Sequence, residues 1–349
     1  MGLYLGLDTS NYTTSAAAFD AGAGVMWQVK RPLPVKEGEL GLRQSDAVFF
    51  HTRQLPEVLE QLREELGSRP LLLDGVAASD RPRQAEGSYM PCFLAGTGTA
   101  RGLAAVTGAP FAPFSHQQGH VAAALYGAGR TAWLGRRFLA FHVSGGTTDA
   151  LLVEPDSDAV LRCKTVATSL DLKAGQLIDR VGRMLGLAFP AGPALEQLAL
   201  GGSGVYRPRP SLEDGNCHLS GVENQCRDRI ARGDPPAEVA RFCLCSVLAA
   251  LDGMTAALLR RYGDLPLLYA GGVMSNTLLR RGLEERYGGA FAPPAYSADN
   301  AAGIAFLASV RAGYDRAGST APGSQLQTPH MAGASNDPAG LPPSMDGPA

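Results

Sequence analysis

Apolar positions along the chain fall into two kinds of block: short unbroken runs, and longer stretches with helical spacing. Residues 3–9 (LYLGLDT) form an unbroken run carrying Asp8 near its end, the mark of a strand covered on both faces. Asn11-Tyr12-Thr13-Thr14 makes a polar turn. Residues 15–19 make a second strand, residues 21–24 a second turn, and residues 25–29 a third strand, before Pro32 and Pro34 break the pattern. In residues 52–66, Leu55, Val58, Leu59, Leu62 and Leu66 recur on one face of a helix. Residues 71–78 (LLLDGVAA) read as a buried strand of parallel type, and the glycine-rich stretch Gly96-Thr97-Gly98-Thr99 leads into a further helix. Strand, helix and strand in that order imply βαβ units and a parallel or mixed sheet.

The same grammar restarts about 136 residues later, as a search for internal repeats brings out. Residues 137–143 are a buried strand, Ser144-Gly145-Gly146-Thr147-Thr148 a turn, and residues 149–154 the returning strand. Residues 155–158 are a tight turn and residues 159–166 a third strand. A glycine-rich unit then closes the pattern: strand 265–270, turn Gly271-Gly272, and a helix capped by Ser275 or Asn276. Asp299-Asn300 opens an apolar last helix. Residues 315–349 are dominated by proline, glycine and serine without periodicity, and are expected to be a disordered tail. The expected division is an N-terminal lobe over 1–113, with 299–313 packing back on it, and a C-terminal lobe over 114–298.

Composition sharpens this. With 45% hydrophobic residues in 349, two lobes can each bury a core. No run approaches the ~20 apolar residues needed to span a bilayer, and the first residues read as a strand and not as a signal peptide. The six cysteines form no Cys-x-x-Cys pair, which argues against a zinc ribbon and fits buried thiols in a reducing cytoplasm. The formal charge of −2 lacks the basic excess of a dedicated nucleic-acid binder, so any RNA contact must come from a local patch, as near Arg207 and Arg209, or from a partner.

Four segments carry candidate chemistry. The turns at Asp8-Thr9-Ser10 and at Val143-Ser144-Gly145-Gly146-Thr147-Thr148 offer small residues and backbone N–H groups of the kind phosphates need. Gly271-Gly272-Val273-Met274-Ser275-Asn276 is a strand-to-helix turn where a ligand can approach a helix N-terminus. It lacks the G-x-G-x-x-G spacing of a Rossmann site. His116 and His120, four apart, lie on one helix face and can share a metal, with Asp299 a candidate third ligand. Asp179 lies on a helix before the rigid turn Pro190-Ala191-Gly192-Pro193, where a carboxylate and a glycine could grip a ribose.

Taken in order, these motifs resemble the TsaD family, the tRNA adenosine threonylcarbamoyltransferases, from about residue 3 to residue 313. Residues 5–10 resemble its opening, His116-x-x-x-His120 its metal motif, and residues 143–148 its phosphate hairpin. Asp179 with residues 189–196, residues 270–276, and residues 299–302 resemble its remaining motifs. The resemblance implies a two-lobed α/β fold like that of actin, sugar kinases and heat-shock ATPases, with duplicated mixed-sheet domains. It implies metal-dependent transfer of a threonylcarbamoyl group from threonylcarbamoyl-adenylate to N6 of the adenosine adjacent to the tRNA anticodon. His116, His120 and Asp299 would hold one divalent iron or zinc ion. Val143, Ser144, Gly145, Gly146, Thr147, Asp179, Gly192, Glu196 and Asn276 would hold the adenylate. Partners would be tRNA and proteins of the same pathway, in the cytoplasm and away from membranes.

The chain also departs from the family pattern. Asn11-Tyr12-Thr13-Thr14 stands where a Cys-Asp-Glu-Thr-like run is usual, Thr147 replaces a His or Asn, and Glu223 falls where a lysine is expected. Arg81 to Ala100 fits the family's glycine-rich segment poorly. A nucleotide- and metal-binding paralogue without transfer activity, acting as a partner protein, is therefore the alternative reading. A metallopeptidase is disfavoured because no His-Glu-x-x-His arrangement is present, and a kinase of the same fold has no need of the paired histidines.

Overall fold

A computed structural model describes residues 2–34, 42–298 and 301–317, with side chains to residue 313. The first lobe opens with β1 (Leu3–Ser10), β2 (Thr13–Asp20) and β3 (Val25–Pro32), an antiparallel meander, followed by α1 (Gln44–Leu66) and β4 (Leu73–Arg81). α2 (Phe93–Thr107) and β5 (Phe111–Ser115) complete its sheet, ordered β3-β2-β1-β4-β5 with β1, β4 and β5 parallel. Next come α3 (His116–Gly127), β6 (Phe138–Val143), β7 (Thr148–Asp156), β8 (Val160–Thr168), α4 (Ala174–Met184) and α5 (Gly192–Leu200). A small ribbon of β9 (Ser211–Glu213) and β10 (Asn216–His218) precedes α6 (Ser220–Ala231) and the long α7 (Pro236–Tyr262). β11 (Leu267–Ala270), α8 (Thr277–Tyr287), β12 (Ala290–Phe291) and α9 (Ala302–Ala317) end the fold.

The second sheet runs β12-β11-β6-β7-β8, with β6, β7 and β8 antiparallel and β11 parallel to both β6 and β12. Strand for strand this repeats the first sheet, so the repeat in the sequence is a duplicated architecture. Alternation along each strand sends residues to opposite faces. Leu5 and Leu7 of β1 join Val58, Leu62 and Ala100 of α1 and α2, while Tyr4 shares a core with α3 and α9. Leu139, Phe141 and Val143 of β6 pack with α4 and α7, while Phe138 and Ala140 enter the same α3 and α9 layer as Tyr4. α3 and α9 are thus the common floor of both sheets, and α3 carries the histidine pair.

Several boundaries differ from those the sequence suggests. The glycine-rich stretch at 96–99 lies inside α2 instead of leading into it. α1 starts at Gln44, a full two turns before residue 52. α9 continues to Ala317, so residues 315–317 are helical; the rest of the expected tail, 318–349, lies outside the described residues. α7 is long and apolar enough to cross a membrane by composition, but more than half of its apolar window is buried in the second lobe. The described cysteines are all free, five of them buried, and burial pushes the Cys163 thiol up to about 12.

Candidate metal and nucleotide site

α3 begins where β5 ends. Ser115 caps it: its hydroxyl accepts from Gln118 N, and the Gln118 side chain accepts from Ser115 N, a reciprocal capping box. This fixes the first turn and the ring of its first residue, His116. The His116 Nδ1–H donates to the Asp8 carboxylate, at 3.0 Å from Oδ2. Asp8 is fully buried and also accepts from the Ser79 hydroxyl. A carboxylate on Nδ1 sets the tautomer, so the Nε2 lone pair of a neutral His116 points away from Asp8. It points to His120, whose Nε2 lies 2.9 Å away.

That separation bears on a metal. Two imidazole nitrogens bound about 2.1 Å from one ion lie about 3.0–3.4 Å apart, as the angle between them opens from square to tetrahedral. The pair already sits close to this distance, one ring braced by a carboxylate in the way metal-ligating histidines are. Ser10 adds a buried hydroxyl with no hydrogen-bond partner among the described residues, a group that a ligand can satisfy. The donor set suits a divalent ion that His116 and His120 would hold. Asp299, the expected third, lies outside the described residues. Among the described residues no three His, Cys, Asp or Glu side chains already converge on one point.

The residues expected at phosphates divide into two groups. Asp8 is turned to His116 and Ser79. Thr9 is fully buried, its hydroxyl donating to Cys92 O and accepting from Gly96 N, so it ties β1 to the start of α2. These two tie β1 to α2, α3 and β4 as parts of the scaffold. The second hairpin is different. Ser144 N donates to Thr147 O at 2.7 Å, closing a turn whose Gly145 and Gly146 are exposed. Its floor is the first turn of α4: Ala174 N donates to Thr148 Oγ1 and Gly175 N to Ser144 O. Any side chain at Gly175 would meet Gly145 Cα at 2.6 Å, so glycine permits this seating. The N-terminus of this eleven-residue helix thus packs under a turn with two exposed glycines, an arrangement suited to an anion. Val143 is buried in the lobe core, so only its backbone is available.

The residues expected to contact an adenylate lie on α4, α5 and the start of α8. Asp179 Oδ1 accepts from Ala191 N, which fixes the loop before Gly192. Glu196 Oε1 accepts from both the backbone and hydroxyl of Thr277, and Asn276 Oδ1 caps α8 through Leu279 N. Glu196, Asn276 and Thr277 thereby form one polar corner between α5 and α8.

Sequence reasoning missed three groups. Ser79 holds Asp8. His51 of α1 is fully buried, its ring nitrogens on Ser10 O and the Thr14 hydroxyl, and burial lowers its pKa despite the hydrogen bond to Ser10 and the nearby Asp8. His142, at the end of β6, packs its ring 4.4 Å from that of His120. The signal for His142 was its place two residues before the Ser-Gly-Gly turn. The unusual run at 11–14 is tied into α1: Asn11 accepts from Gln44, and the Thr14 hydroxyl donates to Gln54.

Two duplicated sheets sharing a helical floor that carries a histidine pair define a two-lobed protein of the actin, sugar-kinase and heat-shock-ATPase class. Solved structures bear out the fold. Component A of the Acidaminococcus fermentans (R)-2-hydroxyglutaryl-CoA dehydratase is similar with a TM-score of 0.52 at 16% identity, over 90% of this chain and 100% of that one. Full-length HypF in its phosphate- and nucleotide-bound form is similar with a TM-score of 0.56 at 13% identity, over 91% of this chain and 56% of that one. The family model for TsaD, tRNA N6-adenosine threonylcarbamoyltransferase, matches residues 43–306. Proteins of that name from Pelobacter propionicus (32% identical, 87% of this chain and 90% of theirs) and Thermus thermophilus (31%, 87% and 91%) align over most of their length. The chain belongs to the tRNA N6-adenosine threonylcarbamoyltransferase family.

Proposed function

We propose that the chain moves a threonylcarbamoyl group from threonylcarbamoyl-adenylate to N6 of the adenosine beside the tRNA anticodon, with a divalent ion on His116 and His120. The observation that carries this reading is the ring contact of His120 with His142. It sets His120 against a residue two positions before Ser144 in the chain, which supports a reading in which one acyl-adenylate reaches both the histidines and the turn.

The transfer forms a bond from N6 to the carbamoyl carbon and breaks an N6–H bond and that carbon's bond to a phosphate oxygen; AMP leaves and the proton passes to its phosphate or to solvent. An ion held by the histidines supplies Lewis-acid polarisation of the transferred group. Gly145 and Gly146, seated on the N-terminus of α4, favour the phosphate through N–H groups and the helix dipole. Asp179, Glu196 and Asn276 present fixed polar edges for the adenosine. Asp8 holds His116 in the tautomer that ligation needs. Exposed Arg207 and Arg209, in the loop before β9, offer charge to the tRNA backbone.

One observation favours the partner-protein reading. The turn at 11–14 is tied into Gln44, His51 and Gln54 and brings no carboxylate to the site. Complementation separates the two. In a strain depleted of its own family member, restored growth with modified adenosine in its tRNA supports transfer. Absence of the modified nucleoside, despite folded protein at normal levels, supports the non-catalytic paralogue.

A further inference from the structure

We propose that Arg83 binds the carboxylate of the transferred acyl group, so that this chain tells a carboxylated carbamoyl donor from a plain one. The inference rests on the acyl-adenylate reading above and deepens it.

Arg83 starts in the first lobe and ends at the second. It lies in the segment between β4 and α2, where the chain departs from the family's glycine-rich pattern. That segment is pinned on both sides of Arg83. Pro82 O accepts from Gln117 N of α3 at 3.0 Å. Gln84 meets β8, the edge strand of the second sheet, as a neighbouring strand would: its Nε2 donates to Leu161 O at 3.0 Å, and its Oε1 accepts from Cys163 N at 2.7 Å. Between these anchors, Arg83 Nη2 donates to Asp149 Oδ2 at 3.0 Å.

The place of Asp149 decides what the guanidinium can reach. Asp149 stands opposite His142 in the β6–β7 register, so the two side chains share one face of the sheet. On that face His142 packs against His120. The Ser144–Thr147 turn is seated on the other face, where Val143 packs with α4 and Thr148 Oγ1 accepts from Ala174 N. An adenylate with its phosphate at the turn and its acyl group at the histidines carries the acyl carboxylate towards Arg83.

Asp149 does not use up this cation. Its side chain is 4% exposed and also accepts from the Thr168 hydroxyl, while the Arg83 side chain remains 51% exposed. Among the described residues no second acceptor meets the guanidinium. A guanidinium carries five N–H donors in a planar fork, enough to bridge two carboxylates. The buried Asp149 and the Gln84 anchor hold that fork in place before a ligand arrives, which lowers the cost of binding.

Calorimetric titration of the full chain tests this with three probes: a non-hydrolysable threonylcarbamoyl-adenylate analogue, its carboxamide counterpart, and AMP. Wild-type protein should bind the acid at least ~10-fold more tightly than the carboxamide. Equal affinities would overturn the proposal, even if no Arg83 variant folds. Arg83→Gln should lose about 10- to 100-fold on the acid, with the carboxamide and AMP within about 2-fold of wild type. Equal losses on acid and carboxamide would overturn it and leave Arg83 as a clasp between the lobes. A loss on AMP would overturn it by assigning the guanidinium to the phosphate. Wild-type protein that binds none of the three would instead overturn the acyl-adenylate reading on which the proposal stands.

Discussion

Replacing Gly303 by alanine tests whether α3 and α9 form the floor on which the site stands. Gly303 lies in the first turn of α9, where the two helices cross backbone to backbone. An added Cβ would come within 2.7 Å of Ala123 N and closer still to the carbonyl of Gly119, both in α3. Ordinary contact begins at 3.4 Å, so the helices must part by at least about 0.7 Å, and no flexible side chain is there to yield. Overpacking of this kind costs about 1–3 kcal/mol. Gly98 supplies the control: it lies inside α2 with open space around its Cβ position, so Gly98→Ala should stabilise by about 0.5–1 kcal/mol through helix propensity. Urea unfolding followed by circular dichroism measures both. Because α3 carries His116 and His120, Gly303→Ala should also weaken metal binding while Gly98→Ala leaves it unchanged. A Gly303→Ala protein within about 0.5 kcal/mol of wild type would refute the close crossing.

Further outcomes follow from the same geometry. Asp8→Asn keeps the size of the buried side chain but no longer fixes the His116 tautomer, so zinc affinity by calorimetric titration should fall about 10- to 100-fold in a folded protein. Asp171 should shape stability in acid: burial alone pushes its carboxyl up, but hydrogen bonds from Leu219 N, the Ser220 hydroxyl, Leu172 N and Ser220 N together bring it down to about 2. An unfolded aspartate titrates near about 3.9, so the folded state holds fewer protons between these values. Its contribution is complete above about pH 4 and drains away as the pH falls towards 2. The denaturant midpoint of Asp171→Asn should thus be flatter with pH across that window than that of wild type, and parallel curves would count against the network.

Why some of this was legible in the sequence, and some was not, has physical causes. The strands β1 and β6 are unbroken apolar runs because helices cover both faces of each sheet, and a run buried on both sides announces itself. The Asn276 cap and the His116–His120 spacing are local, set within one or two turns of helix. What escaped depends on contacts remote in sequence. Asp8 and His116 are 108 residues apart, so a carboxylate at a strand end reads equally well as a phosphate neighbour or a histidine's partner. Gly96 and Gly98 read as a stretch leading into a helix, yet both sit inside α2, where the Gly96 N–H meets the Thr9 hydroxyl of β1. His142 looks like one polar residue in a core strand until the fold brings α3 beside it.

Metal content of the purified protein tests the central claim most directly. Elemental analysis should find about one divalent ion per chain in wild type and none above background in His120→Ala of unchanged fold, since the pair then loses one of its two α3 ligands. Wild-type protein without metal after purification and reconstitution, or full occupancy in His120→Ala, would contradict a site built on His116 and His120.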